Sequence, residues 1–324
     1  MSANAHTRGR GIGAVILSAL LALMALVPLV ATAGAQDASP EATPVPVATE
    51  LGLELPEFEI RAQEGTYSVT QAVAGAGGSP PGQYLVRFVN ETESVADVNI
   101  VLLSEDQTSG DLSGALFTSF TEEADGEFPD FFADATFIGG SWAEAGGTNE
   151  VVVTFPSPGR YYIFSSQPGT PQSVQAVEIV SEAVAAGEPE PVATPGASPV
   201  ASPVADELPS DVQVSATEFE FSGADSAASG PQLWQVTNDG EALHNAVLVA
   251  GDVESAVSEG GPAVNEAMAE SDIVGAVGTL SPGQSAYMVL DLASDSYTLV
   301  DTLPDGEGGD PNAAQGMIAV VEVE

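Results

Sequence analysis

The sequence predicts an all-β protein, with two β-sandwich domains joined by a Pro-rich linker. Three observations predict it. Short runs rich in Val, Ile and aromatics recur between Gly, Pro and Asn clusters, as strands between turns do. Two stretches of Pro, Ala, Thr and Ser divide the chain into pieces. The order of strands and turns in the first piece is repeated in the second.

Residues 1–35 read as a signal peptide. Arg8 and Arg10 give a positive flank, Ile12 to Val30 is an almost unbroken apolar run, and Ala33-Gly34-Ala35 is a small-x-small cleavage site. An uncleaved anchor is the alternative, because the run approaches the length of a spanning helix. Cleavage is preferred, because polar spacer follows the A-x-A site at once. The chain has no Cys, so no disulfide or lipidated thiol supports it and core packing must hold each domain.

Residues 36–50 (QDASPEATPVPVATE) form a disordered spacer without apolar periodicity. Residues 183–208 repeat that composition, with Pro every few positions. This favours an extended, semi-rigid linker that could span up to roughly 80 Å at about 3.1 Å per residue. The domains between and beyond the spacers are residues 51–182 and 209–324.

In the first domain, strands are expected at Gln83 to Asn90, Val98 to Leu103, Glu150 to Phe155, Arg160 to Ser165 and Val174 to Val180. The insert after the second of these carries Phe117, Phe120, Phe128, Phe131 and Phe132. These are expected to pack as a short helix and loop over the sandwich end rather than to form an exposed apolar surface. In the second domain, Pro262 to Ser271 reads as a short helix with Pro in its first turn. The two domains align with Asn90 on Asn238, and each places a Gly-containing turn, a strand, a short turn and an aromatic-led strand in the same order.

The last third carries a resemblance. Residues 230–251 (GPQLWQVTNDGEALHNAVLVAG) and the stretch from GTLSPGQSAYMVL to QGMIAVVEVE resemble the cupredoxins, small β-sandwiches that hold copper with two His, one Cys and a weak axial Met. In TNDGEALHN, His244 stands at the first His position. SYTLVDTLPD resembles the strand leading into the Cys, but Asp301 takes the Cys place. In DPNAAQGM, Asn312 stands at the second His position and Met317 at the Met position. Without the thiolate, blue-copper chemistry is not expected. In the first domain the corresponding positions are Ala96, Ser165, Gln172 and Val177, none a strong ligand. The resemblance therefore implies two cupredoxin-like Greek-key sandwiches, the first without a metal site and the second with a degraded copper site at His244, Asp301, Asn312 and Met317.

Charge and composition exclude other classes. The net charge is −42, from 47 acids against five Arg and no Lys. Removing the signal with its two Arg leaves three Arg against 47 acids, or −44. Such a surface repels nucleic acid and anionic lipid. A chain with one His beyond the signal, no Cys and no G-x-S-x-G has no nucleophile–base arrangement. Carboxylate pairs are too abundant for any one to indicate a glycosidase. Asp301, Asp305, Glu307 and Asp310 sit on a Gly-rich loop that could accept Ca²⁺, though without EF-hand spacing; a solvated acidic turn is preferred. Asn90-Glu91-Thr92 fits the glycosylation tripeptide, a pattern that chance often produces.

The expected function is an exported, acidic, non-catalytic binding or structural protein acting at or outside the cell surface. It would have no resident cofactor, an unidentified extracellular or cell-surface partner, and no membrane insertion once the signal is cut. Metal (copper) binding or electron-transfer-related work at a modified site around His244 is the competing class. Divalent cations are the small ligands the acidic surface would admit. A carboxylate-based hydrolase ranks third.

Overall fold

Strands between Glu57 and Val323 pair edge to edge in this computed structural model. It describes residues 46–71, 79–119, 132, 134–166, 174–179, 207–257, 264, 267–268, 270–304 and 310–324. Val45–Glu324 forms one compact unit. The signal segment, most of both spacers, Gln172, Asp305, Glu307, Phe120, Phe128 and Phe131 lie outside the described residues, as does the side chain of Phe117.

The first half supplies β1 (Glu57–Gln63), β2 (Thr66–Gln71), β3 (Gly82–Asn90), β4 (Ala96–Leu102), β5 (Thr136–Ala143), β6 (Thr148–Phe155), β7 (Gly159–Phe164) and β8 (Gln175–Ile179). The second supplies β9 (Val212–Thr217), β10 (Glu220–Ser222), β11 (Ser226–Ala227), β12 (Gly230–Asn238), β13 (His244–Ala250), β14 (Ile273–Leu280), β15 (Ser285–Leu292), β16 (Ser296–Val300) and β17 (Ile318–Val323). The expected strands fall within a few residues of β3, β4, β6, β7 and β8. Among the described residues the strands make two sheets, ordered β10-β9-β12-β15-β6-β3-β1-β2 and β11-β17-β16-β13-β14-β5-β4-β7-β8. They enclose a common core that runs from Phe58 and Phe88 at one side to Trp234 and Leu299 at the other. The protein is an all-β sandwich. Reading outward from the middle of each sheet gives the same order twice: β6-β3-β1-β2 matches β15-β12-β9-β10, and β5-β4-β7-β8 matches β14-β13-β16-β17.

The two halves meet strand on equivalent strand. β15 pairs antiparallel with β6, placing Ala286 on Val153, Tyr287 on Val152 and Met288 on Val151, and β14 meets β5 at Leu280 on Ile138. Because β6 and β15 pair with β3 and β12 in matching register (Gly82 on Phe155, Gly230 on Leu292), Val151 and Met288 are equivalent positions. They face each other across a local two-fold relation. Backbone groups cross the seam as well: Ser281 N donates to Phe137 O, Phe137 N to Ser281 Oγ, and Thr279 N to Asn99 Oδ1. The close approach requires glycine. A Cβ on Gly278 would lie 3.0 Å from Gly140 Cα and 3.0 Å from Val98 O of the first half. The long linker thus joins two sandwiches that share both sheets.

Two expectations are corrected. Residues 36–50 were expected as spacer throughout, but Val47–Glu50 form a helical turn, α1, with Ala48 buried and its N–H on Glu150 Oε2. Val47, Leu51, Leu53 and Leu55 cover an apolar patch of Leu85, Val152, Leu233, Tyr287 and Val289 on the outer face of the first sheet. Residues from both halves make up that patch, so the spacer's last residues gain partners that exist only after the halves join. The described part of the first insert, with Phe132 alone of the five Phe, covers a sheet face rather than the sandwich end. It forms α2 (Ser109–Ser119), and Leu112, Leu116 and Phe132 pack on Val101, Phe137 and Phe164. This explains why β4 is buried on both faces. In the second half Val257, Val264, Ala267 and Met268 cover Val247 and Val249 of β13 in the same way; half of the expected helix at Pro262 to Ser271 lies outside the described residues.

Candidate functional site

His244 begins β13, directly after the β12–β13 turn that Asn238 organises. Asn238 is buried; its Nδ2 donates to Ala242 O and Leu280 O, and its Oδ1 accepts from Gly240 N. Asn90 does the same in the first half, donating to Ser94 O, Ala143 O and Glu144 O. A buried Asn with its amide spent on three carbonyls holds the turn and is no glycan acceptor.

The structure brings His244, Asp301 and Asn312 into one buried cluster and places Met317 beside it. Asp301 follows β16, and Asn312 opens the short 3₁₀ turn Asn312–Gln315. His244 Nδ1 lies 2.7 Å from Asp301 Oδ2, and Asn312 Nδ2 donates to the same oxygen at 3.0 Å. Asp301 Oδ1 accepts from Leu303 N at 2.9 Å. With Asp301 ionised, the oxygen that accepts from Asn312 accepts from the imidazole too, which assigns the proton to Nδ1. Backbone bonds close the frame: Ala313 N to Asp301 O, Met317 N to Asn312 O and Asp301 N to Met317 O. The Met317 side chain is fully buried and belongs to the main core. Burial pushes the Asp301 carboxyl above its usual range, while His244, Leu303 and Asn312 pull it back.

Blue copper does not fit this donor set. No thiolate is present, Asp301 spends both oxygens on N–H donors, and the one imidazole turns its protonated nitrogen inward. Asp301 is fully buried with both oxygens accepting N–H groups, and of the other acids of the expected Ca²⁺ loop Asp305 and Glu307 lie outside the described residues. Among the described residues no group of three or more His, Cys, Asp or Glu is disposed to hold a metal.

The first half carries a different buried carboxylate, one the sequence reading missed. Asp97 follows Ala96, which the alignment of the halves (Asn90 on Asn238) sets on His244, and so matches Asn245. Ser165 Oγ donates to Oδ1. Ser166 N, Ser166 Oγ and Asn99 Nδ2 donate to Oδ2 at 2.8, 2.5 and 2.9 Å. In the second half Asn245 and Thr302 make the equivalent contact, Asn245 Nδ2 to Thr302 Oγ1 and Thr302 N to Asn245 Oδ1. Burial raises the Asp97 carboxyl, opposed by the bonds from Ser165 and Ser166. An acid raised on folding contributes stability that is fully present below its ordinary value near 3.8 and is lost as pH rises through the folded value. Asp97→Asn, which copies Asn245, should therefore unfold within about 1 kcal/mol of the parent at neutral pH. It should also lack part of the parent's gain on acidification. Asp97→Ala, which leaves several donors unpaired, should cost about 2–3 kcal/mol. Urea melts at pH 7 and pH 5 check both; equal losses for Asn and Ala would contradict the assignment.

No family model matches the chain, and no curated protein matches it. Among solved structures it is similar to an auracyanin of Roseiflexus castenholzii, at 21% identity over 35% of this chain and 94% of that one, with a TM-score of 0.28. Auracyanin A of Chloroflexus aurantiacus, described as a "blue" copper protein, matches at 17% identity over 35% of this chain and 99% of that one, with a TM-score of 0.24. A copper-containing nitrite reductase of Thermus scotoductus matches at 11% identity over 83% of this chain and 61% of that one, with a TM-score of 0.23. With TM-scores this low, the site is read from its own residues, and the class they define is an all-β sandwich protein with a buried His–Asp–Asn cluster. Among the described residues no helix is long and apolar enough to cross a membrane.

Proposed function

We propose that this chain is an exported, non-catalytic binding or structural protein made of two tandem cupredoxin-like sandwiches, in which hydrogen bonds have replaced copper. One observation carries the reading. Asp301, at the Cys position, joins His244 Nδ1 to Asn312 Nδ2, so the groups at three of the four ligand positions satisfy one another. A buried polar cluster with its inward donors and acceptors paired fixes one geometry and needs no ion at its centre. The repeated strand order supports tandem copies. The apolar run before Ala33-Gly34-Ala35, the lack of Cys and the charge of −42 support work outside the cell, where an acidic surface keeps the chain soluble.

The test uses residues 45–324 with added Cu²⁺. The parent should develop no intense visible band, because no thiolate is available to give one. The double variant Asp301→Cys with Asn312→His should develop it, since the ligand positions would then be filled on an unchanged frame. An intense band in the parent, or a colourless yet folded double variant, would overturn the reading.

A further inference from the structure

The cluster leaves one atom unaccounted for. His244 is 2% exposed, and its Nε2 is buried with no hydrogen-bond partner. With the proton on Nδ1, Nε2 presents a lone pair. It points away from Asp301 toward the β9–β10 turn, where Glu218 Oε1 lies 3.9 Å away. That is too long for a hydrogen bond. Glu218 is held in place: its Oε1 accepts from Glu241 N at 2.5 Å and from Ala242 N at 3.1 Å. These bonds hold its carboxyl below the usual range. The turn that presents Glu218 is itself strained. Phe219, its second central residue, has φ +62 and is 41% exposed, and a non-glycine residue keeps that conformation only where its surroundings enforce it. Glycine opens the space between the two groups. A Cβ on Gly240 would stand 2.6 Å from Glu218 Oε1 and 3.0 Å from His244 Nε2.

We propose that His244 Nε2 and the Glu218 carboxylate together bind a divalent cation of the zinc class, at the outer side of the imidazole and away from the copper-ligand positions. Imidazole nitrogen and carboxylate oxygen each bind such an ion at about 2.1 Å, so two donors 3.9 Å apart can share one ion at an open angle. Asp301 supplies what a ligating imidazole needs behind it, a carboxylate on Nδ1–H that fixes the tautomer and strengthens the lone pair. Two protein donors leave the remaining positions to water; Nε2 is buried, so water and ion enter from the side of Glu218, which is 45% exposed. The dense negative charge of the chain raises the local concentration of such ions. The inference goes beyond the closed cluster of the proposed function, because it uses the opposite ring nitrogen.

The experiment is a Zn²⁺ titration of residues 45–324, in which His244 is the single histidine. It is followed by the ¹⁵N resonances of the imidazole and by calorimetry. Zn²⁺ should move the Nε2 resonance and leave Nδ1 protonated. Glu218→Gln should weaken binding at least about tenfold, the scale of losing even an outer partner of a metal site. Gly240→Ala should abolish binding with the fold kept, because the atoms its methyl meets are the ends of two side chains. An Nε2 resonance that stays put at millimolar Zn²⁺ overturns this site and leaves the proposed function standing, as does undiminished affinity in Glu218→Gln. Movement of Nδ1 with loss of its proton overturns both, because the ion would then have entered the cluster.

Discussion

Asp301→Ala is expected to lower the stability of residues 45–324 by about 3–5 kcal/mol, the range for breaking a buried polar network. The substitution removes the common acceptor of His244 Nδ1, Asn312 Nδ2 and Leu303 N, and all four residues are buried. Each donor left without a partner costs about 1–3 kcal/mol, and the cavity left behind adds to it. The opposing effect is relief of a desolvated carboxylate, whose raised pKa records its burial penalty. The unpaired donors outweigh it, because alanine returns none of them to water. Denaturant melts with a matched Asn312→Ala variant make the reading specific. Asn312→Ala removes one donor and leaves the acceptor with two partners, so it should cost less than half as much. A loss within about 0.5 kcal/mol for Asp301→Ala, the ordinary scale of a surface substitution, would mean that the cluster does not form.

The second large effect concerns the seam. Residues 209–324 produced alone are expected to self-associate. In the whole chain β14 and β15 are capped by β5 and β6, and Leu280, Ala286 and Met288 are at most 1% exposed. Without the first half, two adjacent strand edges and these side chains face solvent, the condition under which strands recruit another chain. The equivalence of Val151 and Met288 predicts the product, an antiparallel pair of β15 strands with Met288 opposite Met288 in a symmetric dimer. Sedimentation should give twice the mass of the half, and Met288→Lys should return it to monomer by placing like charges across the axis. A folded monomer without that substitution would show that the shared sheets are not needed to protect these edges.

Much of this protein is legible along the chain, and the illegible parts share a cause. The runs that became β3, β4, β6, β7 and β8 announced themselves by composition, since burial on one or both sheet faces demands apolar residues at fixed spacing. β5 carries Gly139 and Gly140 among its apolar residues, which masks strand character, because Gly139 approaches Ala286 and Gly140 approaches Gly278, both in the other half. Asp97 went unread as a second buried polar centre, because in a chain with 47 acids only burial distinguishes one carboxylate from the rest.

By itself the sequence determined the all-β class and the repeated strand order, and it pointed to His244, Asp301, Asn312 and Met317. Those properties follow from side-chain type and local spacing. Only the tertiary structure decided that the halves share both sheets, that the end of the first spacer docks across them, and that His244 turns one nitrogen to Asp301 and the other toward Glu218. These depend on pairings between residues far apart in the chain, such as Val151 with Met288 and His244 with Asp301. Local spacing carries no record of which distant edge or side chain will complete a contact, so the packed fold alone selects it.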